Sequence, residues 1–117
     1  MLCECIHDQI HVSIDPEKHI KVTYNGELVA ETTGGYVCHE QGLPDRYYIP
    51  RADIRAELAE GTGGGVCIWK GRWRHLDVTV AGKRIPNGAW SYHETKSVCD
   101  PMRDFVSFYD SKFTIKL

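Results

Sequence analysis

Nine consecutive residues, Cys67-Ile68-Trp69-Lys70-Gly71-Arg72-Trp73-Arg74-His75, carry a thiol, two indoles, an ammonium, two guanidiniums and an imidazole. A thiol beside a cation is a candidate nucleophile, because the positive neighbour lowers its pKa and the thiolate is the reactive form. Cys67, with Lys70 or the more distant His93 as that neighbour, is such a candidate; a buried structural thiol is the competing interpretation. Lys70 also offers a point charge to a phosphate or carboxylate. Indoles supply broad flat contacts and one N–H donor, so Trp69 and Trp90 are candidate pocket walls. Tyr47, Tyr48 and Tyr92 add hydroxyls suited to the rim of such a pocket, or to ordinary half-buried strands.

The same run has a second meaning. Cations interleaved with aromatics suit single-stranded nucleic acid, where bases stack and phosphates meet positive charge. Lys83 and Arg84 would extend the stripe through Lys70, Arg72 and Arg74. Strand alternation works against it, since it puts Arg72 and Arg74 on one face and Trp73 on the other. The net charge of −2 weighs against it too. Metal-dependent nucleotidyl transfer needs carboxylates around magnesium. No compact Asp-x-Asp occurs: Asp45, Asp53 and Asp77 are isolated, and Asp100, Asp104 and Asp110 lie apart from them. Cys3, Cys5, His7 and His11 form a C-x-C-x-H-x3-H run without the usual C-x2-C step of a zinc site. The expectation is therefore no cofactor, with N-terminal zinc as the alternative to an alternating strand.

A chain of 117 residues suits one domain with a real core. Its 42% hydrophobic and 26% charged content is that of an ordinary globular protein. The N-terminus shows neither a basic start nor a long apolar run, so no signal peptide and a cytoplasmic location are expected. No stretch approaches a membrane span. Five cysteines, an odd number, then predict free thiols rather than a disulfide framework.

These residues must be positioned by strands. Ile10, Val12 and Ile14 alternate with polar residues, as do Ile20, Val22 and Tyr24. Asp15-Pro16-Glu17-Lys18 predicts a turn, and Asn25-Gly26 predicts a hairpin into Glu27-Leu28-Val29-Ala30. Tyr36–Cys38, Tyr47–Ile49 and Val66–Trp69 predict further strands, as does the alternation through Leu76, Val78 and Val80. Ala81-Gly82 and Pro86-Asn87-Gly88 predict turns flanking Lys83–Ile85, before Ala89–Tyr92. Pro50 at a first turn, with Ile54 and Leu58 four apart, predicts a helix from Arg51 to Ala59, stopped by Gly61. Gly61-Thr62-Gly63-Gly64-Gly65 predicts a mobile connection, without the order of a phosphate loop. A loop from His93 to about Pro101, a helical turn over Met102 to Asp104, and a closing hairpin of Phe105–Tyr109 with Phe113–Leu117 complete the pattern.

Tyr47-Tyr48-Ile49-Pro50-Arg51-Ala52-Asp53-Ile54, Cys67-Ile68-Trp69-Lys70-Gly71, Ala89-Trp90-Ser91-Tyr92 and Val106-Ser107-Phe108-Tyr109 come in that order. From about Ile20 to Tyr109 the chain resembles the domain of unknown function 427 family, which also carries the label nucleotidyltransferase-like. The resemblance implies a small bacterial-type β-domain of the twisted two-sheet β-tent kind. It pairs the CIWKG block with the AWSY block. Ile68 replaces the family's usual proline, and Arg72-Trp73-Arg74-His75 and His93-Glu94-Thr95-Lys96 also depart from its pattern, which leaves room for a specialised ligand.

The expected protein is thus mainly β: one domain over residues 1–117, of compact antiparallel twisted sheets with one or two short helices, residues 1–19 being a strand extension outside the family core. Its expected function is binding of a small, anionic or nucleotide-like molecule in a cleft. The cleft is expected between Cys67, Trp69, Trp90 and Tyr92, with Lys70 partly solvated at its edge and Trp73 exposed. An enzyme acting on a phosphorylated or nucleotide-like substrate is the alternative. A protein or single-stranded nucleic-acid module is the third option. No membrane partner is expected, and self-association stays open.

Overall fold

The computed structural model describes the backbone of residues 3–7, 10–67 and 70–117, and the side chains of residues 13–67, 70–97 and 99–117. Three antiparallel sheets make up the domain, as the period-2 patterning requires. The first contains β1 (Cys3–His7), β2 (Ile10–Glu17), β5 (Gly35–Glu40) and β6 (Arg46–Tyr48), in the order β1-β2-β5-β6. The second pairs β3 (Ile20–Tyr24) with β4 (Glu27–Thr32) and with β11 (Thr114–Lys116). The third contains β7 (Glu57–Cys67), β8 (Gly71–Val80), β9 (Lys83–Thr95) and β10 (Val106–Phe108), in the order β10-β9-β8-β7.

The hairpin at Asn25-Gly26 forms as the sequence predicts, with φ of 48° and 84°. Ala81-Gly82 repeats the pattern at 49° and 83°. Two positive φ values in succession match the twist of antiparallel strands.

The main core lies where the second and third sheets face each other. Ile20, Val22 and Val29 from one meet Leu76, Val78 and Ala89 from the other, with Phe108 and Phe113. A second, aromatic cluster joins the first sheet to the third: Ile14, Cys38 and Tyr48 pack with Trp90, Tyr92 and Met102. Reciprocal hydrogen bonds between Ile49 and Val106, each 2.8 Å, fasten these two sheets together.

Several local expectations are corrected. Arg51–Ala59 is not a helix. Only Arg51–Asp53 form a 3-10 turn, and β7 begins at Glu57. A nine-residue helix is marginal by itself. Here Leu58 still reaches the core, as part of the strand that pairs with β8 through Glu57↔Thr79 and Leu58↔Val78. Gly61–Gly65 is not a free loop but the bulged middle of β7. A Cβ at Gly64 would collide with the Trp73 carbonyl, so these glycines permit close strand approach.

Pro86-Asn87-Gly88 does not turn the chain. It lies within β9, with Asn87 at φ 50° where the register with β8 shifts. Asp15-Pro16-Glu17 continues β2 against β5. The described pairing with β1 reaches Ile14, so Pro16 lies at the end of β2, a place where a strand tolerates proline. β9 itself runs to Thr95, and a 3-10 helix covers Ser97–Met102 in place of the expected loop and later turn. The closing hairpin is absent as well: β10 pairs with β9 and β11 with β3, so the last strands serve different sheets. No helix among the described residues is long and apolar enough to cross a membrane.

Candidate functional site

A cavity of about 270 Å³ opens in the aromatic cluster between the first and third sheets. Strand alternation explains its lining. Cys38 and Glu40 lie two apart on β5, Arg46 and Tyr48 two apart on β6, and Trp90 and Tyr92 two apart on β9, so each pair faces one side. Cys67, Lys70, Trp73 and Tyr109 complete the wall, with Leu43 and Pro44 contributed by the loop after β5.

Gly71 sets the position of Lys70. The Lys70 N–H donates to the Cys67 carbonyl at 3.3 Å, and the Lys96 N–H donates to the Lys70 carbonyl at 2.9 Å. Gly71 follows at φ 134°, where a Cβ would collide with the Glu94 carbonyl, so no side chain fits there. The chain therefore reverses tightly and Lys70 points inward. It is 6% exposed, not partly solvated at an edge as expected. Its Nζ donates to Glu40 Oε1 at 2.9 Å.

Burial pulls the Lys70 ammonium down. Tyr48, Cys38, Tyr92 and the Glu40 carboxylate act the other way and prevail, holding it above the ordinary lysine range. Of these, Glu40 supplies the charge at neutral pH. Burial pushes the phenols of Tyr48 and Tyr92 and the thiol of Cys38 upward, so all three stay protonated there. A charged Lys70 is a cation and a hydrogen-bond donor rather than an amine nucleophile.

The aromatic walls are mutually braced. The Tyr48 and Trp90 rings meet edge-on at 6.3 Å, and the Trp90 N–H faces the Tyr48 oxygen at 3.4 Å. Tyr109 packs on Trp90 with centroids 4.5 Å apart. The Arg46 guanidinium stands 5.6 Å from the centroid of the Trp90 ring and is loosely paired with Asp110 at 3.6 Å. Trp73 is half-buried rather than exposed, because a β-bulge between Arg72 and Trp73 breaks simple alternation.

Of the residues expected at the site, Tyr48, Cys67, Lys70, Trp90 and Tyr92 come together at the cavity. Tyr47 does not; it packs against the main core from the opposite face of β6. His93 lies outside as well, in a shallow groove beside Gly63–Gly65 and Arg74, so it is not the neighbour that would activate Cys67. Trp69 falls outside the described residues. So do the side chains of Cys3, Cys5, His7 and His11, whose backbones lie in β1 and β2. Sequence reasoning missed Cys38, Glu40, Arg46 and Tyr109. For Cys38, Glu40 and Arg46 the only local signal was the i, i+2 spacing within β5 and β6, while Tyr109 stood in the Val106-Ser107-Phe108-Tyr109 block without being singled out.

Four of the five cations in the basic stripe are ion-paired, and the fifth, Lys83, stands 5.6 Å from the centroid of the Tyr24 ring. Lys70 pairs with Glu40, Arg72 with Glu94 at 3.4 Å, Arg74 with Glu60, and Arg84 with Asp77 at 2.6 Å.

Residues 13–117 match the family model described as Domain of unknown function (DUF427). The chain belongs to this family. No curated protein matches it significantly. The DUF427 match begins within β2 and runs to the last residue, so every strand that lines the cavity falls inside it.

Proposed function

We propose that this DUF427 domain binds a small flat anion in the aromatic cavity. One observation carries the proposal: five aromatic side chains, Tyr48, Trp73, Trp90, Tyr92 and Tyr109, line one cavity with two cations, Lys70 and Arg46, and a single carboxylate, Glu40. Aromatic walls alone would also suit an organic cation. The surplus of positive charge favours an anion instead. Lys70 is engaged by Glu40, whereas Arg46 is held only at 3.6 Å by an exposed aspartate, so Arg46 is the cation available to an incoming acid group. A volume of about 270 Å³ suits one ring with a short acidic substituent better than a nucleotide. This weighs against the nucleotidyltransferase-like reading. The paired arginines weigh against an open nucleic-acid face. Among the described residues Cys38 and Cys67 are free thiols, which suits a reducing compartment such as the cytoplasm.

Titration with 4-nitrobenzoate, followed by quenching of tryptophan emission, tests the proposal. Saturable quenching is expected, with nitrobenzene much weaker. Arg46→Ala should weaken 4-nitrobenzoate by about 10- to 100-fold, as removing a charged hydrogen-bond partner does, while leaving the unfolding midpoint in place. Equal binding of the neutral and anionic rings, or no saturable binding of either, would overturn it.

A further inference from the structure

Behind the cavity wall lies a chain of hydrogen bonds whose direction can be read from its atoms. Asp77 anchors it. Arg84 donates to Asp77 Oδ2 at 2.6 Å, and the Asn87 N–H donates to Asp77 Oδ1 at 2.9 Å. Asn87 then grips Thr62 twice: the Thr62 N–H donates to Asn87 Oδ1 at 2.9 Å, and Asn87 Nδ2 donates to the Thr62 carbonyl at 3.0 Å. That carbonyl also lies 3.1 Å from His75 Nδ1. A carbonyl oxygen can only accept, so Nδ1 carries the proton and, in the neutral ring, Nε2 carries the lone pair. Tyr109 Oη lies 2.9 Å from Nε2 and must donate to it.

The consequence falls on the cavity. Tyr109 lines it beside Trp90, and with its proton committed to His75 its oxygen has only lone pairs to offer an occupant. Of the charged wall groups, Lys70 and Glu40 engage each other, and Arg46 is a donor that stands over the same Trp90 ring on which Tyr109 packs. The cavity therefore offers an acceptor, Tyr109 Oη, and a cationic donor, Arg46, on either side of one indole.

We propose that the Tyr109–His75 pair is a proton-accepting relay, and that the cavity takes flat ring compounds presenting an acidic O–H or N–H to Tyr109. This rests on the binding role proposed for the cavity. In the step, the ligand X–H bond breaks and its proton forms a new bond to Tyr109 Oη. The former Tyr109 proton passes to His75 Nε2. The products are the ligand anion, a neutral tyrosine and an imidazolium whose Nδ1–H still donates to Thr62. No oxidant or further reactant is needed. Burial pushes the Tyr109 phenol upward, against a smaller opposing pull from Arg46, so it does not stand as tyrosinate and the two transfers go together. The Asn87 clamp on Thr62 keeps the imidazole in the accepting tautomer, as an orienting partner does for a general base.

The probe is 4-nitrophenol, whose anion is yellow, at a pH about one unit below the free probe's pKa so that the free probe is mostly neutral. Bound to the wild-type protein it should show a several-fold larger anion fraction than in buffer. His75→Gln can keep both hydrogen bonds but has no basic nitrogen. It should still bind 4-nitrophenol, weaker only by what the ionisation contributed, and lose the excess anion. Tyr109→Phe should lose it too. An unchanged anion fraction in His75→Gln would assign the effect to Arg46 and overturn the relay. Independently, nitrogen NMR of the free protein should show His75 protonated at Nδ1; the opposite tautomer would overturn the relay without any variant. If 4-nitrobenzoate binds and 4-nitrophenol binds without ionising, the relay fails while the binding role stands. If neither binds, both fall.

Discussion

Glu40→Gln isolates the interaction on which the cavity floor depends. The side chains of Lys70 and Glu40 are 8% and 19% exposed, and their charged atoms lie 2.9 Å apart. At that separation and an effective dielectric of about 20, the gross attraction is about 6 kcal/mol. Much of it offsets desolvation of the two ions, and a glutamine oxygen would return a neutral hydrogen bond of about 1 kcal/mol. Breaking a buried pair from one side costs about 3–5 kcal/mol. Glu40 keeps some contact with water, so the expected loss is about 3 kcal/mol, or a Tm lower by roughly 10 °C for a domain of this size. Urea unfolding followed by tryptophan fluorescence measures it. The double variant Glu40→Gln/Lys70→Met should be more stable than Glu40→Gln alone, because the stranded ammonium is gone. The sign with pH follows. In the wild type, Lys70 sits above the ordinary lysine range when folded, so its contribution is whole below about pH 10 and is lost as pH rises beyond that. In Glu40→Gln, burial acts on Lys70 without the carboxylate, so the destabilisation should be largest near neutrality and shrink as pH rises towards about 10. A loss below about 1 kcal/mol in Glu40→Gln, or strict additivity in the double variant, would refute the claim that this pair holds the floor.

Other outcomes follow from single positions. Gly71→Ala should cost more than about 2 kcal/mol, since it combines an unfavourable φ with a collision against the Glu94 carbonyl, whereas Gly26→Ala, with open space around it, should cost about 1 kcal/mol; urea midpoints compare them. Ser107 Oγ is buried and has no hydrogen-bond partner among the described residues, so Ser107→Ala should raise stability by about 1 kcal/mol in the same assay. The Asn87 N–H and then Arg84 hold the Asp77 carboxyl below its usual range, so its contribution is present above about pH 4 and lost as pH falls; acid titration of Asp77→Asn should show a shallower loss.

The period-2 runs determined the fold class, because alternating burial leaves few structures other than sheets. Asn25-Gly26 was legible as a hairpin because two positive φ values are a local property of those residue types. The order of the sequence blocks also brought Cys67, Lys70, Trp90 and Tyr92 to one place. Local pattern could not decide between helix and strand for Ile54 and Leu58, which suit either period; the available edge of β8 decided it. Nor could it assign β10 and β11 to different sheets, since pairing partners are a matter of the whole topology. The floor of the cavity is the clearest case. Glu40 meets Lys70 across 30 residues, and Tyr109 meets His75 across 34. Neither carboxylate nor hydroxyl differs in sequence from any solvent-facing neighbour. Only the packing of two sheets removes water from these particular groups, and that removal makes one pair a buried ion pair and the other a directed hydrogen bond.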